Sequence, residues 1–383
     1  MVCGDSLEVL RTIPSCSIDA LVCDPPSGIA FMNVKWDKDK GGTKQWIAWL
    51  AAILAEALRV SKPGAHALIW ALPRTSHWTG MAVEESGWEV RDQLSHIFYS
   101  GFPKSLDAAK AIDAHLGVAL KEVGERKKDR REDGSTYALG HSGVMTVGGQ
   151  SPEAKPWVGY GTGLKPAHEV WWLARKPLDG TVAENLLKHG TGVLNIDGCR
   201  IKPGDLSWPG PSMELEARFV PASDARGTVY KGQLDGSFKQ DWYYDPKGGR
   251  WPANIYYSPK PSTSEREWGC DELAQASAGE LTGGREEDSK GLNSPRSGAG
   301  RTSGGRGNVH PTVKGIGLMK WLCRLVTPSR GLILDPFIGS GSTLLAAESE
   351  GFRCIGIDLD PRHCEIVAAR YQGIAGPWGL IQT

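Results

Sequence analysis

Short apolar segments alternate with segments of helical periodicity at both ends of the chain, and this alternation constrains its fold more than any other feature. Five segments have the length and apolar content of strands: 18–23, 65–72, 88–99, 331–335 and 353–358. Six further segments have the apolar spacing of helices: 45–60, 76–86, 105–116, 309–326, 342–350 and 361–371. Short strands that alternate with helices indicate an α/β protein, with a parallel sheet covered by helices on both faces.

The middle of the chain, 121–308, breaks this alternation into short segments rich in Gly, Pro and aromatic residues. One stretch at about 165–178 still has the pattern of a strand and is predicted to return to the main sheet. Residues 274–308 are rich in Gly and Ser, which predicts a mobile loop. The predicted organisation is one α/β domain, formed by residues 1–120 and 309–383, with a large irregular insertion between its halves.

The charge balance excludes one class of protein and leaves another open. Lys and Arg number 44 and Asp and Glu number 44, so the formal net charge is zero. This balance excludes a chain that is basic all over, but it permits local segregation of charge. Residues 290–330 carry eight basic and no acidic residues, whereas 265–288 carry eight acidic and two basic ones. The basic stretch is a candidate phosphate clamp, and a plain linker is the alternative interpretation.

The sequence predicts neither a membrane span, nor a secretion signal, nor a metal site. The mean hydropathy is −0.31. No apolar run reaches about 18 residues, and the N-terminus lacks a basic segment followed by an apolar core. The eight cysteines include no C-x-x-C pair, so reduced core cysteines are expected rather than disulfides or metal ligands. We therefore expect a cytoplasmic protein without a bound metal.

A predicted strand, a glycine-rich turn and a helix follow one another near the C-terminus. The turn contains Gly339 and Gly341 and leads into a helix that begins at Ser342 and Thr343. Small residues let a ligand approach the backbone, and the helix N-terminus offers N–H groups. The next strand ends at Asp358, where a carboxylate can bind ribose hydroxyls. This layout predicts a nucleoside-binding site, and a plain tight turn is the alternative.

The residues of the turn narrow the choice of nucleoside. A dinucleotide motif needs a third Gly where this chain has Leu344, and a P-loop needs a Lys that is absent here. Asp335, at the end of the strand, would repel a phosphate and suits a cationic or neutral ligand. S-adenosylmethionine carries a sulfonium, an ammonium and a ribose, so it fits such a site.

Another predicted strand ends in Asp24-Pro25-Pro26. Each proline fixes φ and removes a backbone donor, so the carbonyls and the Asp24 carboxylate form a rigid rim of hydrogen-bond acceptors. Such a rim suits a planar –NH2 group, whose lone pair is delocalised into an aromatic ring. Hydrogen bonds to a carboxylate and a carbonyl would localise that lone pair and direct it toward a methyl donor. A structural Pro-Pro turn is the alternative interpretation.

Together the two motifs resemble those of the DNA amino-methyltransferases. The S-adenosylmethionine motif of that family is matched by residues 335–341, and its catalytic motif by residues 24–27, Asp-Pro-Pro-Ser. The catalytic motif precedes the cofactor motif, which resembles the β subgroup, where the sequence between them recognises the DNA target. The segments 27–37 and 165–178 resemble orphan enzymes that phages and prophages carry.

The resemblance implies a Rossmann-like S-adenosylmethionine-dependent methyltransferase sheet with helices on both faces and a large irregular inserted target-recognition region. It implies S-adenosylmethionine as cofactor and DNA as partner, in a bacterial or phage-infected cell, and leaves a homodimer and a cognate restriction nuclease open. The implied catalytic residues are Asp24, Pro25, Pro26 and Ser27. The implied cofactor-binding residues are Asp5, Asp24, His310, Thr312, Lys314, Asp335, Phe337, Gly339, Gly341, Ser342, Thr343 and Asp358.

Two of these assignments rest on shorter segments. Gly4-Asp5 resembles the N-terminal Gly-Asp whose carboxylate meets the adenine of the cofactor. Residues 310–314 resemble the segment that closes over the methionine end of the cofactor.

Ser27 departs from the family pattern, which has an aromatic residue at this position to stack on the flipped base. Such stacking is worth about 1–3 kcal/mol per base. Phe31 and Trp36 are candidates to replace the missing ring, and core packing is the alternative for Phe31. The remaining candidates for DNA contact are Arg296, Arg301 and Arg306.

The resemblance favours N6 of adenine as the methylated atom, because an Asp at the first catalytic position is more typical of adenine enzymes. N4 of cytosine is the alternative. Methylation of a cytosine ring carbon would need a Pro-Cys dipeptide, and no Cys follows a Pro in this chain. More distant alternatives are an inactive DNA-binding relative and a methyltransferase for RNA or protein amides.

Overall fold

The computed structural model of the protein describes residues 1–30, 35–98, 105–125, 144–201, 244–245, 249–276 and 306–375. Phe31, Arg296 and Arg301, and most of the predicted loop at 274–308, lie outside these ranges. The chain divides into two units. The first comprises Met1–Phe98, His168–Ala276 and Arg306–Thr383, and the second comprises Tyr99–Ala167 and Ser277–Gly305.

All the strands and helices predicted from the sequence are present, and β2 and β12 have the predicted bounds. The strands within the described ranges are β1 (Val2–Cys3), β2 (Ile18–Cys23), β3 (Ser61–Ala71), β4 (Glu89–Ile97), β5 (Lys121–Glu125), β6 (Val144–Val147), β7 (His168–Arg175), β8 (Tyr244–Asp245), β9 (Gly249–Arg250), β10 (Ile255–Tyr257), β11 (Leu332–Asp335) and β12 (Arg353–Asp358). The α-helices in the same ranges are α1 (Ser6–Thr12), α2 (Thr43–Val60), α3 (Ser76–Glu85), α4 (Ala108–His115), α5 (Val182–His189), α6 (Thr263–Glu267), α7 (Ile316–Val326), α8 (Ser342–Ser349) and α9 (Pro361–Ala375).

The main sheet has the strand order β1-β12-β11-β2-β3-β7-β4-β10. Neighbouring strands are parallel except at β7, which runs antiparallel to both β3 and β4. The return of β7 to the main sheet is confirmed, and this strand runs antiparallel within a sheet that the alternation predicted to be parallel. The reason lies in the register: His168 pairs with Ile97, so the chain re-enters at the edge where β4 left and must run back.

Helices cover both faces of the main sheet, as predicted. In β2, Leu21 and Cys23 belong to the core on one face, and Ala20 and Val22 belong to the core on the other. The first core is completed by α1, α2 and α3, and the second by α7 and α8. Burying a large apolar side chain such as Leu21 contributes about 1.5–3 kcal/mol, so β2 is held from both sides.

The structure divides the predicted insertion between the two units. Although β7, α5, β10 and α6 fall within 121–308, they belong to the first unit, where β10 pairs with β4. The second unit contains α4 and the antiparallel pair β5 and β6. In that unit the buried Asp113 carboxylate accepts hydrogen bonds from Gln150 N and from both N and Oγ of Ser151. These bonds hold the segment after β6 against α4.

Neither a membrane-spanning helix nor a metal-binding cluster occurs in the described part of the chain. The helices there are too short or too polar to cross a bilayer. The His, Cys, Asp and Glu side chains of these ranges form no group arranged to hold a metal ion. All eight cysteines are free thiols, and four of them, Cys23, Cys199, Cys270 and Cys323, are buried, whereas Cys3 and Cys16 are exposed and lie outside the core.

Candidate active site

The two sequence motifs meet at the carboxyl edge of the main sheet, between β2 and β11. These strands are neighbours, with Leu21 opposite Leu334. From β2 the chain continues through α2 to β3. From β11 it continues through α8 to β12, which lies on the other side of β11 from β2. The two helices cover opposite faces of the sheet. A crevice forms where two connections diverge in this way, and ligands of open α/β sheets bind there. Asp24 and Asp335 flank this crevice.

The glycine-rich turn between β11 and α8 has two residues in the left-handed backbone region. The φ angle is +50° at Gly339 and +83° at Gly341. A Cβ on Gly339 would lie 2.7 Å from Nε2 of His310, so both the backbone and the available space require glycine. Gly341 is the N-cap of α8 and offers no side-chain acceptor, which leaves the first N–H groups of that helix for a ligand.

Asp335 closes β11 beneath this turn and is 1% exposed. Its carboxylate accepts hydrogen bonds from Phe337 N at 3.0 Å and from the Thr343 side chain. Burial raises the pKa of Asp335 to about 7, opposed by these hydrogen bonds and reinforced by Asp24 and Asp358. A cation bound in the crevice would favour the carboxylate form.

Asp358, the predicted ribose ligand, lies at the end of β12 and is tied to the same turn. One carboxylate oxygen accepts a hydrogen bond from Gly339 N at 2.9 Å. The other accepts from Asp360 N at 2.9 Å and lies 3.0 Å from Nδ1 of His363. A carboxylate has about four acceptor sites, so it retains capacity for a ribose hydroxyl.

The N-terminal segment reaches the same edge. Cys3 in β1 lies opposite Asp358, and Asp5 follows as the N-cap of α1. One oxygen of Asp5 accepts from two backbone N–H groups of α1, at 2.9 and 3.2 Å. Ser6 Oγ donates to the carbonyl of Pro336 at 2.6 Å. Ser6, which the sequence did not single out, thus fastens the Asp5 segment to the turn.

Two histidines and a tryptophan pack beside the glycine-rich turn. The rings of Trp36 and His310 are stacked, with centroids 5.7 Å apart and planes inclined by 10°. His363 meets His310 edge-on at 4.6 Å. Burial, together with neighbouring cationic groups, lowers the pKa of His310 well below its usual value, so the ring is neutral. Its Nδ1 accepts from Thr312 N at 3.4 Å.

This packing bears on two predictions. His310 and Thr312 lie beside the turn, and their binding of the cofactor stays a prediction. One face of the Trp36 ring stacks on His310, and its contact with the flipped base stays a prediction.

Ser342 and Thr343 were predicted to bind the cofactor at the helix N-terminus, which stays a prediction, and their hydroxyls have partners within the protein. Both residues are buried at the start of α8. Ser342 Oγ donates to the carbonyl of Lys314 at 2.9 Å, and the Thr343 side chain bonds to Asp335. Buried hydroxyls need partners, and these two find them in the protein, so they stabilise the turn.

On the other side of the crevice, Asp24 forms an ion pair with Lys314. The Lys314 ammonium lies 2.5 Å from a carboxylate oxygen, and the two side chains are 10% and 19% exposed. Burial raises the pKa of Asp24 to about 6, although Lys314 opposes the shift. The same ammonium lies 4.2 Å from the centre of the Trp70 ring.

The role of Lys314 at the methionine end of the cofactor stays a prediction, and the structure adds an ion pair to it. Its ammonium lies on the catalytic carboxylate of Asp24. The physical reason is that a partly buried ammonium and a partly buried carboxylate each lack water and therefore pair.

The Ser27 hydroxyl is hydrogen-bonded to a buried carboxylate, that of Asp37. Its Oγ lies 3.0 and 2.9 Å from the two oxygens of Asp37, which also accepts from Gly28 N at 3.0 Å. Asp37 is 1% exposed and ends a 3₁₀ helix, Lys35–Asp37. The small Ser27 hydroxyl donates to this carboxylate, so it is bonded within the protein. The same bonds position the neighbouring Trp36.

The site extends from Asp24 along the sheet edge through four residues that were not predicted from the sequence: Trp70, His96, Glu169 and Lys260. Glu169, at the start of β7, accepts hydrogen bonds from Trp70 Nε1 at 3.0 Å and Lys260 Nζ at 2.9 Å. His96 in β4 lies opposite Glu169 in β7, and its Nδ1 is 4.0 Å from the Glu169 carboxylate. An ionisable residue inside the apolar strand His168–Arg175 was the available signal for Glu169.

Arg370 in α9 was also missed and holds the turn from behind. It is 1% exposed and donates to the carbonyl of Ser340 at 2.6 Å and to that of Glu265 at 3.2 Å. It therefore connects α6 to the glycine-rich turn.

The remaining predicted residues have structural positions but no tested role. Pro25 is buried and Pro26 half-buried behind Asp24. The ring of Phe337 packs on Trp49 of α2 at 5.7 Å. Arg306 forms a backbone bridge with Ala276, and its contact with DNA stays a prediction.

A family model for N6 and N4 methyltransferases, described as DNA methylase, matches residues 18–369, which include both motifs. The chain belongs to this DNA methylase family. The cofactor of the family is S-adenosylmethionine, which agrees with the prediction from the turn.

This DNA methylase has short local matches among curated proteins. It is 35% identical over 79 residues to the type II methyltransferase M.ScaI of Streptomyces caespitosus, which is 21% of this chain and 26% of that protein. It is 38% identical over 63 residues to the type II methyltransferase M2.DpnII of Streptococcus pneumoniae, 16% of this chain and 24% of that protein. The chain therefore matches about a quarter of the length of each relative.

Solved structures align over nearly the whole methylase. The cytosine-N4-specific PvuII DNA methyltransferase aligns with a TM-score of 0.48 at 13% identity, over 97% of this chain and 85% of that one. M1.HpyAVI in complex with S-adenosylmethionine aligns with a TM-score of 0.43 at 14% identity, over 96% of this chain and 97% of that one.

The residues around the crevice fit S-adenosylmethionine. The carboxylates of Asp5, Asp335 and Asp358 converge on one edge and favour a cationic ligand. The left-handed backbone of Gly339 and the His310 ring beside it leave no room for a Cβ in the turn. When bound, the cofactor supplies an electrophilic methyl group on its sulfonium.

We expect the methylase to bind S-adenosylmethionine more weakly as the pH falls below about 7. Protonation of Asp335, whose pKa is raised to about 7, removes the negative charge that faces the cation. Below that pH, binding must release a proton, so Kd should rise by up to about tenfold per pH unit. Calorimetric titration between pH 5.5 and 7.5, in buffers of different ionisation enthalpy, measures both Kd and proton release. An Asp335→Asn variant should lose the dependence, and an unchanged wild-type Kd across this range would contradict it.

Proposed function

We propose that this DNA methylase transfers a methyl group from S-adenosylmethionine to the exocyclic N6 amino group of adenine in DNA. The observation that carries the proposal is the position of Asp24. Its carboxylate lies at the end of β2, across the crevice from the glycine-rich turn, with the rigid Pro25-Pro26 pair behind it. This arrangement supports an acceptor rim on one side of the crevice and a methyl donor on the other.

The proposed reaction requires the adenine to leave the duplex, which costs a few kcal/mol. In the crevice, the Asp24 carboxylate and the Pro25 carbonyl each accept one N–H of the amino group. This tilts the nitrogen lone pair toward the methyl group, and holding the two reacting atoms in line supplies much of the acceleration.

Asp24 also suits the proton transfer that follows. With a pKa of about 6 it is ionised at neutral pH and can accept the hydrogen bond. The same pKa lies near the working pH, so the carboxylate can take the amine proton after methyl transfer or pass it to water. Methyl-transfer activity is accordingly expected to decline below about pH 6.

The choice of adenine over cytosine rests on the catalytic motif. An Asp at its first position favours N6 of adenine, and N4 of cytosine is the alternative because both amines have the same acceptor requirement. The match to a DNA methylase family model favours DNA over RNA or protein amides as substrate. The intact Asp24 and Asp335 favour an active enzyme over an inactive DNA-binding relative.

Mass spectrometry of the reaction product tests this proposal. Amplified, unmethylated duplex DNA is incubated with the protein and S-adenosylmethionine, hydrolysed to nucleosides and compared with a reaction containing Asp24→Ala. We expect N6-methyladenine from the wild type and none from the variant. N4-methylcytosine would move the assignment to cytosine. Unmodified DNA in every sequence context, with S-adenosylmethionine bound, would contradict both assignments.

A further inference from the structure

Glu169 is on β7, two strands away from β2 and Asp24, and has no part in the proposed reaction. Its side chain is 13% exposed, and both carboxylate oxygens are hydrogen-bonded, one to Trp70 Nε1 and the other to Lys260 Nζ. The register explains this proximity. Cys23 is opposite Ile69, and Trp70 is opposite Trp171, so Asp24, Trp70 and the start of β7 follow one another along the same edge.

Lys314 stands between the two carboxylates. Its ammonium contacts Asp24 on one side and lies 4.2 Å over the Trp70 ring on the other. The indole N–H of Trp70 donates to Glu169. A carboxylate on the indole N–H makes the ring richer in electrons, and this strengthens its attraction for a cation over its face.

The proposed reaction brings a second donor to this position. The target amino group has to donate to the Asp24 carboxylate, one oxygen of which already accepts from the Lys314 ammonium. Lys314 is only 10% exposed, so an ammonium displaced from Asp24 would lack both water and a counter-ion unless another anion is near. Glu169, which accepts from the Trp70 indole, supplies a carboxylate on the Trp70 side.

We propose that Glu169 is a positioning residue that takes over the Lys314 ammonium, with the Trp70 ring between them, when the target amine binds to Asp24. This inference rests on the proposed role of Asp24. Lys314 then acts as a placeholder: it keeps the Asp24 carboxylate ionised before the base arrives and withdraws toward Glu169 when the base enters.

Other titratable groups lie near Asp24 and Glu169 and contribute to the electrostatic potential there. Asp37 and Asp335 lie on the Asp24 side, and each is held by its own hydrogen bonds. Lys260 and His96 lie on the Glu169 side, and burial lowers the pKa of His96, which keeps it neutral. Lys260 is 47% exposed, so water stabilises it when it loosens from Glu169.

Replacing Glu169 with Gln should lower the plateau of kcat/KM by about tenfold and shift its acidic limb to lower pH. The limb shifts because a like charge near Asp24 is lost and Lys314 then pairs with Asp24 alone. The profile is measured with unmethylated DNA at saturating S-adenosylmethionine from pH 5 to 8. Glu169→Asp, which keeps the charge, should restore most of the plateau.

Glu89→Gln is the matched control, because Glu89 pairs with Arg175 at the far end of β7. It should leave both the plateau and the limb unchanged. Where Glu169→Gln does not fold, Lys260→Met tests the same idea at an exposed residue. Without Lys260, Glu169 should attract Lys314 more strongly and so weaken the hold of Lys314 on Asp24. The acidic limb of the kcat/KM profile should therefore move to higher pH.

The outcomes separate this inference from the proposed function. The inference is overturned if the acidic limb of the Glu169→Gln profile stays in place or moves to higher pH. It is also overturned if the acidic limb of the Lys260→Met profile does not move to higher pH. If Asp24→Asn is inactive while Glu169→Gln equals Glu89→Gln, only the role of Glu169 fails. If Asp24→Asn is fully active, the proposed function of the site fails with it.

Discussion

Replacing Asp24 with Asn should lower the rate of methyl transfer at saturating S-adenosylmethionine by about 100-fold or more. The Asn oxygen still accepts a hydrogen bond, but it carries no charge to localise the amine lone pair. The change also leaves the Lys314 ammonium, which is 10% exposed, without its counter-ion. Single-turnover transfer of a labelled methyl group to DNA measures the chemical step directly.

Asp19→Asn is the matched control for this prediction. Asp19 lies on the same strand, β2, and also pairs with a lysine, Lys62, at 2.6 Å, but it lies at the opposite edge of the sheet. It also accepts from Leu332 N, so its replacement should lower the free energy of unfolding and leave the methyl-transfer rate unchanged. Equal rates for the two variants would show that Asp24 does not orient the amine.

The secondary structure was predictable because its signals are local. β2 is buried along its whole length, and its apolar residues stand directly before Asp24-Pro25. β3 shows where local signals stop: it begins at Ser61, not near residue 65, because Pro63 and Gly64 lie in a bulge within the strand. In sequence, the dipeptide Pro63-Gly64 indicates a turn, and in the structure Gly64 does have a left-handed φ of +75°.

The direction of β7 depends on where the chain returns from residues 99–167. The pattern of His168–Arg175 predicts a strand, but only the pairing of His168 with Ile97 makes it antiparallel. No local propensity reports such a pairing, since it is set by where the preceding segment ends.

The candidate site divides in the same way. The residues of contiguous motifs, such as Gly339 and Asp335, are at the crevice as predicted. Lys314 was assigned from its neighbours in sequence, but its partner Asp24 is 290 residues away. Ser27 departs from the motif, and the fold brings the buried Asp37 carboxylate to it. Polar partners that are distant in sequence decide these roles.

Replacing Gly339 with Ala should weaken S-adenosylmethionine binding by about tenfold or more. The φ of +50° costs a residue with a Cβ about 1–2 kcal/mol. The new Cβ would also lie 2.7 Å from Nε2 and 3.0 Å from Cε1 of His310. His310 cannot retreat freely, because Trp36 stacks on its face and His363 meets it edge-on. The turn or the histidine must therefore move, and both lie where the cofactor is expected to bind.

Gly351→Ala separates this steric effect from backbone strain. Gly351 follows the other end of the same helix, α8, and its φ of +76° is also left-handed, but a Cβ there meets no atom within 4 Å. It should lower the free energy of unfolding by about 1 kcal/mol and leave cofactor affinity unchanged. Calorimetric titration of both variants at pH 7.5 compares them. Equal affinity in the Gly339 and Gly351 variants would mean that the turn does not contact the cofactor.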